Sequence, residues 1–555
     1  MNPSTSAART VVAELVRRGV RHVVLAPGSR SAPLAHALAT ASARGDLRLH
    51  VRIDERVAAF TALGLARVAG PVAVVTTSGT AAANLHPAVL EASHSGAPLL
   101  LLTADRPHEV RGTGANQTTD QVRLFGSAVR FFADVPAPYG RPGEEADLRA
   151  LLTRALAAAA GTRSGDPGPV HLDLAFREPL VPDGDADWPP PGDGAPDVVD
   201  AVTEPAPVLL GPGPRTVVVA GDGAGVAARV YAEAAGVPLL AEPSSGTRAG
   251  ANAVGPYRLL LDQPSLGGRI ERVVVFGHAT LSRQVSALLV RDGVEVVAVA
   301  GRIPDWLDPG SRAARVVSAV AASEPGDGEW LASWQRAAKA AQDAVDDVLA
   351  TGPASGPAVA ALVWAARRPG ESLVIGSSNP IRDADLAAAP PVGDGAAGAD
   401  GRVLANRGLA GIDGTLSTAA GVALASGAPV RVLVGDLTFL HDVGGLLVGP
   451  LEDRPDLQIV VVNDDGGGIF ALLEHGDPDH AERFERVFGT PHGADLAALC
   501  AGYGVAHRRV DDLASLREAL AEPVAGRSVL EVPVARADLR QLHGRIREAV
   551  TTALG

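Results

Sequence analysis

With 555 residues the chain is too long for a single hydrophobic core, and two to four domains are expected. A hydrophobic content of 46% and a charged content of 20% place it among ordinary globular proteins, while a formal net charge of −14 argues against a general nucleic-acid surface. The single cysteine, Cys500, excludes an intramolecular disulfide and fits a reducing, cytoplasmic setting. The first residues read as a capped amphipathic helix without a long apolar core, and no run of about eighteen apolar residues suggests a membrane span.

Up to about residue 182, helices and short apolar strands alternate. A helix near Ser6–Arg18 leads to HVVLA and PGSRSAPL. LRLHVRIDE, the helix VAAFTALGLARVAG, PVAVVTTSGT, a helix over Ala81–Ser93 and PLLLLTADRP follow. This order predicts βαβ units and a parallel sheet. Residues 183–214 are rich in Pro, Gly and Asp and read as a linker. A central α/β domain is expected over 215–350, with strands TVVVAG, VPLLAE, RVVVFG and VEVVAVAG and a closing helix near Trp330–Leu349. Its GDGAG turn lacks the full dinucleotide spacing and reads as a tight strand-to-helix turn. Residues 351–555 return to the style of the first segment, so the expected fold is α/β with two similar doubly wound parallel-sheet domains flanking the central one.

The chemistry concentrates at strand ends. VRVLVG delivers Gly435-Asp436, and LQIVVVN delivers Asn463-Asp464-Asp465-Gly466-Gly467. Alone, each is an ordinary turn. Together they place carboxylates at the carboxyl ends of buried strands, where open α/β sheets bind ligands, and hard oxygen ligands of this kind suit Mg²⁺. In RIDERVAAF, Glu55 starts a helix, a position that the helix dipole favours for any acid. Ile412 is a large apolar residue in a glycine-rich loop. Arg30, Arg106, Arg283, Arg382 and Arg407 stand in loops or turns after strands. Each could be a surface residue, but five in an acidic protein suggest sites for carboxylates.

The GDL…NDDGGG pair, DERxxxxxxLGLA, PGSRSAPL, TSGTAAANLHPAVLEA, TADRP, GANQ and ANRGLAGIDGTLSTAAG together resemble thiamine diphosphate enzymes. Among these, they are most similar to the branch that decarboxylates 2-oxoglutarate and adds the succinyl unit to isochorismate in menaquinone biosynthesis. The resemblance covers the first and last domains and is weak in the centre.

That resemblance implies a transferase using thiamine diphosphate and Mg²⁺ (or Mn²⁺). The implied metal ligands are Asp436, Asp464 and the Gly466 carbonyl. The family usually has Asn where Asp464 stands, which leaves open whether Asp464 or Asn463 faces the metal. The implied cofactor residues are Pro27, Glu55, Ser78, Gly79, Asn84, Gly408, Ile412, Ser417, Asp436, Leu437, Thr438, Asn463 and Gly467. Glu55 would address the aminopyrimidine, and Ile412 would bend the cofactor. Ser378, Arg382 and Arg407 would hold the succinyl carboxylate, with Ser29, Arg30, Arg106 and Arg283 on isochorismate. Asn116 and Gln117 would position the intermediate. Glu55, Gln117 and Arg382 are the expected catalytic residues. Ser282 stands where the family often has Lys. No role falls to His94, His108, His441 or His475.

A homodimer or dimer of dimers with active sites at the subunit interface is implied, with no nucleic acid and no membrane span. The rival readings are an enzyme of the acetolactate synthase or 2-keto acid decarboxylase type, and a scaffold with a vestigial cofactor fold.

Overall fold

The computed structural model describes all residues except 185–187, 189–198, 202, 204, 301–305, 393–400, 478 and 480. The first sheet uses β1 (His22–Leu25), β2 (Arg48–Val51), β3 (Val72–Thr76), β4 (Leu99–Asp105), β5 (Phe131–Val135) and β6 (Val170–Ala175). Its order is β2-β1-β3-β4-β6-β5, with every neighbouring pair parallel. VAVVT and LLLLTAD are buried along their whole length, as strands with both faces covered must be.

Seven strands follow. They are β7 (Val208–Leu210), β8 (Thr216–Ala220), β9 (Leu239–Ala241), β10 (Arg272–Phe276), β11 (Glu295–Val299), β12 (Ala313–Val317) and β13 (Val320–Ala322). β12-β11-β10-β8-β9 is a parallel five-stranded sheet, and β13 pairs with β7. The last sheet comprises β14 (Ser372–Ile375), β15 (Val403–Leu404), β16 (Val430–Gly435), β17 (Leu457–Asn463), β18 (Ala506–Arg509) and β19 (Arg527–Pro533). Its order is β15-β14-β16-β17-β19-β18, again parallel.

Counted from its own first strand, the last sheet repeats the topology of the first, 2-1-3-4-6-5. In both, the order reverses between the first and third strands, which opens a crevice at their carboxyl ends. In the first sheet that crevice receives the turns after β1 (Pro27–Arg30) and β3 (Ser78, Gly79). In the last sheet it receives the turns after β14 (Ser378) and β16 (Asp436).

The chain forms two compact units. One contains residues 1–203, 413–427 and 442–455, and the other contains 204–412, 428–441 and 456–555. In the first unit, the helix Thr415–Ser426 lies against the helix Glu55–Ala69. Gly64 and Gly421 sit at the crossing: a Cβ on Gly64 would meet the Thr418 carbonyl oxygen at 2.0 Å, and one on Gly421 the Thr61 carbonyl oxygen at 2.1 Å. In the second unit, the helix Gly328–Ala350 buries Trp330, Trp334, Ala337, Ala341, Val345 and Leu349. This stripe at helical spacing shares an apolar cluster with Leu542, Ile546 and Val550 of the closing helix Leu539–Leu554. The central and last sheets therefore belong to one unit.

The helix expected over Ala81–Ser93 is broken into Thr80–Ala83 and His86–Ser95. Pro87 in the opening turn of the second piece needs no hydrogen-bonded N–H there and so starts a new helix. Within the segment read as a linker, Val208–Leu210 is a strand, while 185–187, 189–198, 202 and 204 lie outside the described residues. Among the described residues, no helix is long and apolar enough to cross a membrane.

Gly64→Ala should destabilise the protein by about 1–3 kcal/mol, because the added methyl meets backbone that cannot move aside. Gly544→Ala, in a helix where a Cβ meets nothing within 4 Å, should instead stabilise by about 0.5–1 kcal/mol. Thermal denaturation of the two variants beside the parent checks the contrast.

Candidate active site

In the second unit, a cavity of about 350 Å³ opens at the carboxyl ends of the strands. Its lining includes Ser378, Ile412, Asp436, Thr438, Asp464 and Gly467. Asp436 begins the short helix Asp436–His441 and is 2% exposed. Its Oδ1 accepts the Leu437 N–H at 2.7 Å, and its Oδ2 accepts the Gly466 N–H at 2.8 Å. His492 Nε2 lies 3.1 Å from Oδ2. Because Nδ1 accepts the Ala494 N–H, the Nε2 proton is the one donated to Asp436.

Burial raises the Asp436 carboxyl above the usual range. It raises Asp464 to about 7, with the Asp436 charge adding to the effect. Two carboxyls crowded into one buried cleft suit a divalent cation, which would favour both charged forms. Among the described residues no group of three His, Cys, Asp or Glu stands ready for a metal, so a carbonyl or phosphate oxygen is needed to complete the donor set.

Asn463 is turned elsewhere. Its Nδ2 donates to Glu531 Oε1 at 2.8 Å and its Oδ1 accepts the Asp465 N–H. Expected as a cofactor residue, it is thus held by the neighbouring strand, whereas Asp464 lines the cavity. Gly466 has a φ of +139°, and a Cβ there would meet the Gly489 carbonyl oxygen at 1.9 Å, so no other residue fits the turn. Arg536 locks the same turn by donating to the carbonyls of Asp465 and Gly489.

Arg382 and Arg407 form a like-charged pair. Arg407 is 2% exposed; its Nη2 donates to Thr280 Oγ1, while its Nε and Nη1 are buried with no partner among the described residues. Arg382 donates from Nη1 to the Ser378 carbonyl at 2.9 Å. Burial lowers its pKa, and the Arg407 charge lowers it further. Arg283, by contrast, is a surface residue paired with Glu474, the two side chains being 74% and 71% exposed.

In the first unit, Arg30 donates to the Phe176 carbonyl, its Nε is buried without a partner among the described residues, and burial followed by the Arg106 charge lowers its pKa. Arg106 donates from Nη2 to the Asn116 carbonyl at 2.8 Å. Ser78 Oγ donates to the Gln117 carbonyl and Gln117 Nε2 to the Ser78 carbonyl, so the two loops clasp each other. Gln117 has a positive φ of 55°. Pro27, Ser29 and Asn116 are exposed.

Glu55 opens its helix behind Asp54, whose carboxylate caps the N–H groups of Arg56 and Val57. Asn84 Nδ2 lies 3.4 Å from Glu55 Oε2. Ser417, expected to donate to the cofactor, gives its N–H and its hydroxyl to Asp442 instead, at 2.7 and 3.0 Å. Gly408 and Ile412 lie in the loop after β15.

Sequence reasoning missed His492, Arg536, Asp442 and Gln121. Each is a single polar residue distant in sequence from the group it contacts, with no spacing that could mark it.

The thiamine pyrophosphate enzyme N-terminal TPP binding domain family matches residues 5–124, and the corresponding C-terminal TPP binding domain family matches residues 396–532. The 2-succinyl-5-enolpyruvyl-6-hydroxy-3-cyclohexene-1-carboxylate synthase of Kineococcus radiotolerans is 54% identical, over 100% of both chains. That of Paenarthrobacter aurescens is 52% identical, over 100% of this chain and 98% of the relative. The crystal structure of benzoylformate decarboxylase from Polynucleobacter necessarius shares the fold, with a TM-score of 0.64, 18% identity, and coverage of 97% of this chain and 99% of that one. With two repeated strand orders, acidic and arginine-bearing strand ends, and full-length identity above one half, the chain belongs to the 2-succinyl-5-enolpyruvyl-6-hydroxy-3-cyclohexene-1-carboxylate synthase (MenD) family of thiamine diphosphate enzymes.

Proposed function

We propose that this chain, with thiamine diphosphate and Mg²⁺ or Mn²⁺, decarboxylates 2-oxoglutarate and adds the succinyl unit 1,4 to isochorismate. The products are CO₂ and 2-succinyl-5-enolpyruvyl-6-hydroxy-3-cyclohexene-1-carboxylate. The observation that carries the substrate choice is the crowding of guanidiniums around two buried arginines, half-buried Arg382 beside Arg407 in one unit and half-buried Arg106 beside Arg30 in the other. Two dianionic substrates need such cations, whereas a pyruvate-using enzyme does not.

Asp436, Asp464 and the Gly466 carbonyl would hold the cation, and through it a diphosphate. Asp464 is favoured over Asn463, whose amide is held by Glu531. Thr438 lines the same cavity as a hydroxyl donor. When bound, the cofactor supplies a thiazolium carbon nucleophile and an electron sink for decarboxylation. Glu55 would keep a hydrogen bond on the aminopyrimidine ring nitrogen and so favour the tautomer able to take a proton. Ile412 would press the two rings into a bent conformation. Arg382 and Arg407 would grip the distal carboxylate of 2-oxoglutarate, and Arg30 and Arg106 would orient isochorismate. Arg283 can join them only by releasing Glu474. A homodimer or dimer of dimers in the cytoplasm is the assembly inferred, the Glu55 of one subunit serving the metal site of its partner.

Protein supplied with thiamine diphosphate, Mg²⁺ and 2-oxoglutarate should release CO₂, and with isochorismate present should yield the succinylated product by mass; absence of that adduct overturns the reading. Glu55→Gln should keep cofactor binding, measured by thermal shift, while turnover falls by about 10²–10⁴. Mixing Glu55→Gln with Asp464→Ala subunits should restore activity that neither variant shows, and no recovery after subunit exchange would rule out a shared site. Asp464→Ala should abolish the thermal stabilisation conferred by Mg²⁺ with thiamine diphosphate. Asn463→Ala should retain it, and the reverse result would exchange the two assignments.

A further inference from the structure

Beneath the loops that carry Ser78, Arg106, Asn116 and Gln117 lies a buried polar network that the proposed chemistry does not use. β4 and β6 run side by side with Thr103 opposite Asp173. Strand alternation puts Asp105 on the same face as Thr103. Asp105 and Asp173 are both fully buried, and the Oδ2 of each finds no hydrogen-bond partner among the described residues, a crowding of carboxyls that favours a proton on one of them. Thr103 Oγ1 and Gln121 Nε2 both donate to Asp173 Oδ1 at 2.8 Å.

Gln121 is fully buried, and its Oε1 accepts the Gly79 N–H at 2.8 Å. Asp105 Oδ1 accepts the Arg106 N–H at 2.7 Å. The carboxyl pair is therefore fastened at one end to the Ser78–Gly79 turn and at the other to Arg106. Arg106 in turn holds the Asn116 carbonyl, and Ser78 and Gln117 clasp each other.

We propose that Gln121, held by the buried Asp173 carboxyl and by the Gly79 N–H, is the positioning residue that sets the loop of Arg106, Asn116 and Gln117 against isochorismate. The inference rests on the isochorismate role given above to Arg106 and on the placing of the intermediate given to Asn116 and Gln117. Gln121 touches no substrate; it acts by tying its loop to Asp173 of β6.

The charged surroundings show why the pair keeps its proton near neutrality. Burial raises both carboxyls, and the Asp105 charge adds to the rise of Asp173, which reaches about 7. Asp105 accepts the Arg106 N–H and faces Arg111, both of which favour its charged form, so the proton is placed on Asp173. Arg111 also favours the charged forms, with Nε 2.8 Å from Asp105 Oδ2, but it is shared with Asp134 of β5. Arg106 and Arg30 stand on the side of the loops, and Arg30 also lies near Glu178. His171 of β6 bonds Thr103 and is held neutral, its pKa pushed down to about 4 by burial. Loss of that proton at higher pH puts a second negative charge beneath Arg106, where it opposes binding of a dianion.

The test compares the parent with Gln121→Glu and Asp173→Asn, each checked by thermal denaturation for an intact fold. The carboxylate that Gln121→Glu introduces can still accept the Gly79 N–H but no longer donates to Asp173. KM for isochorismate should rise roughly tenfold, the scale of one lost hydrogen bond, with CO₂ release from 2-oxoglutarate alone within about twofold of the parent. In the parent, KM for isochorismate should climb as pH rises from about 6 to about 8. In Asp173→Asn, where an uncharged amide replaces the proton-bearing carboxyl, that climb should vanish. An infrared difference band of a buried protonated carboxyl, titrating over the same range and missing in Asp173→Asn, gives a reading independent of turnover.

If a folded Gln121→Glu leaves KM for isochorismate unchanged, or slows both half-reactions equally, the positioning role is overturned. A parent profile that Asp173→Asn does not flatten, or no titrating band, overturns the proton on Asp173. Failure of the parent to form the adduct at all would instead strike the proposed function, with the infrared result still deciding the state of the pair.

Discussion

Like charges held side by side in buried strand ends are the constraint on which the structure turns. Asp436 sits by Asp464, Arg382 by Arg407, Arg30 by Arg106, and Asp105 by Asp173. Each arrangement opposes folding, because burial penalises the charged forms and proximity penalises them again. An ion of the opposite sign would relieve the first three pairs. A proton on Asp173 would relieve the fourth. Parallel sheets make this possible: their ladders are completed by backbone groups alone, so the strand ends stay rigid whatever strain the side chains carry.

The two terminal sheets apply one topology to two different tasks. In each, the turns after the first and third strands meet at the crevice. In the first sheet those turns carry arginine, serine and glycine; in the last they carry serine and an acid. The segment after the second strand carries Glu55 in the first sheet and Arg407 and Ile412 in the last. The fourth strand ends in Asp105-Arg106 in one and Asn463-Asp464 in the other. The fold fixes where ligands can bind, and the residues at these four positions in each sheet decide which ligands.

Much of this was legible in the sequence because strand ends are local events. VRVLVGD and LQIVVVND announce a buried strand and the polar turn that follows, and nothing distant is needed to read them. What escaped depends on contacts across the fold. Ser417 reads as a free hydroxyl until Asp442, 25 residues on, takes both its donors. His492 reaches Asp436 across 56 residues, and Gln121 reaches Asp173 across 52. Asn463 and Asp464 are adjacent in the chain, so only the pleat, which sends neighbours to opposite faces, separates the one held by Glu531 from the one in the cavity. The linker composition hid Val208–Leu210, whose strand exists only because Val320–Ala322 lies ready to pair with it.

The placement of the helix Thr415–Ser426 bears on how the polypeptide matures. The first compact unit is not finished by its first 203 residues; it also needs 413–427 and 442–455. On the ribosome, a domain that would otherwise fold as soon as it emerged must wait with the groove at Gly64 uncovered until the helix Thr415–Ser426 has been made, and it is complete only at residue 455, by which time most of the second unit is also present. Nascent chains interrupted before that point would expose an apolar helix face to chaperones and proteases, which couples completion of the first compact unit to synthesis of the carboxyl-terminal third.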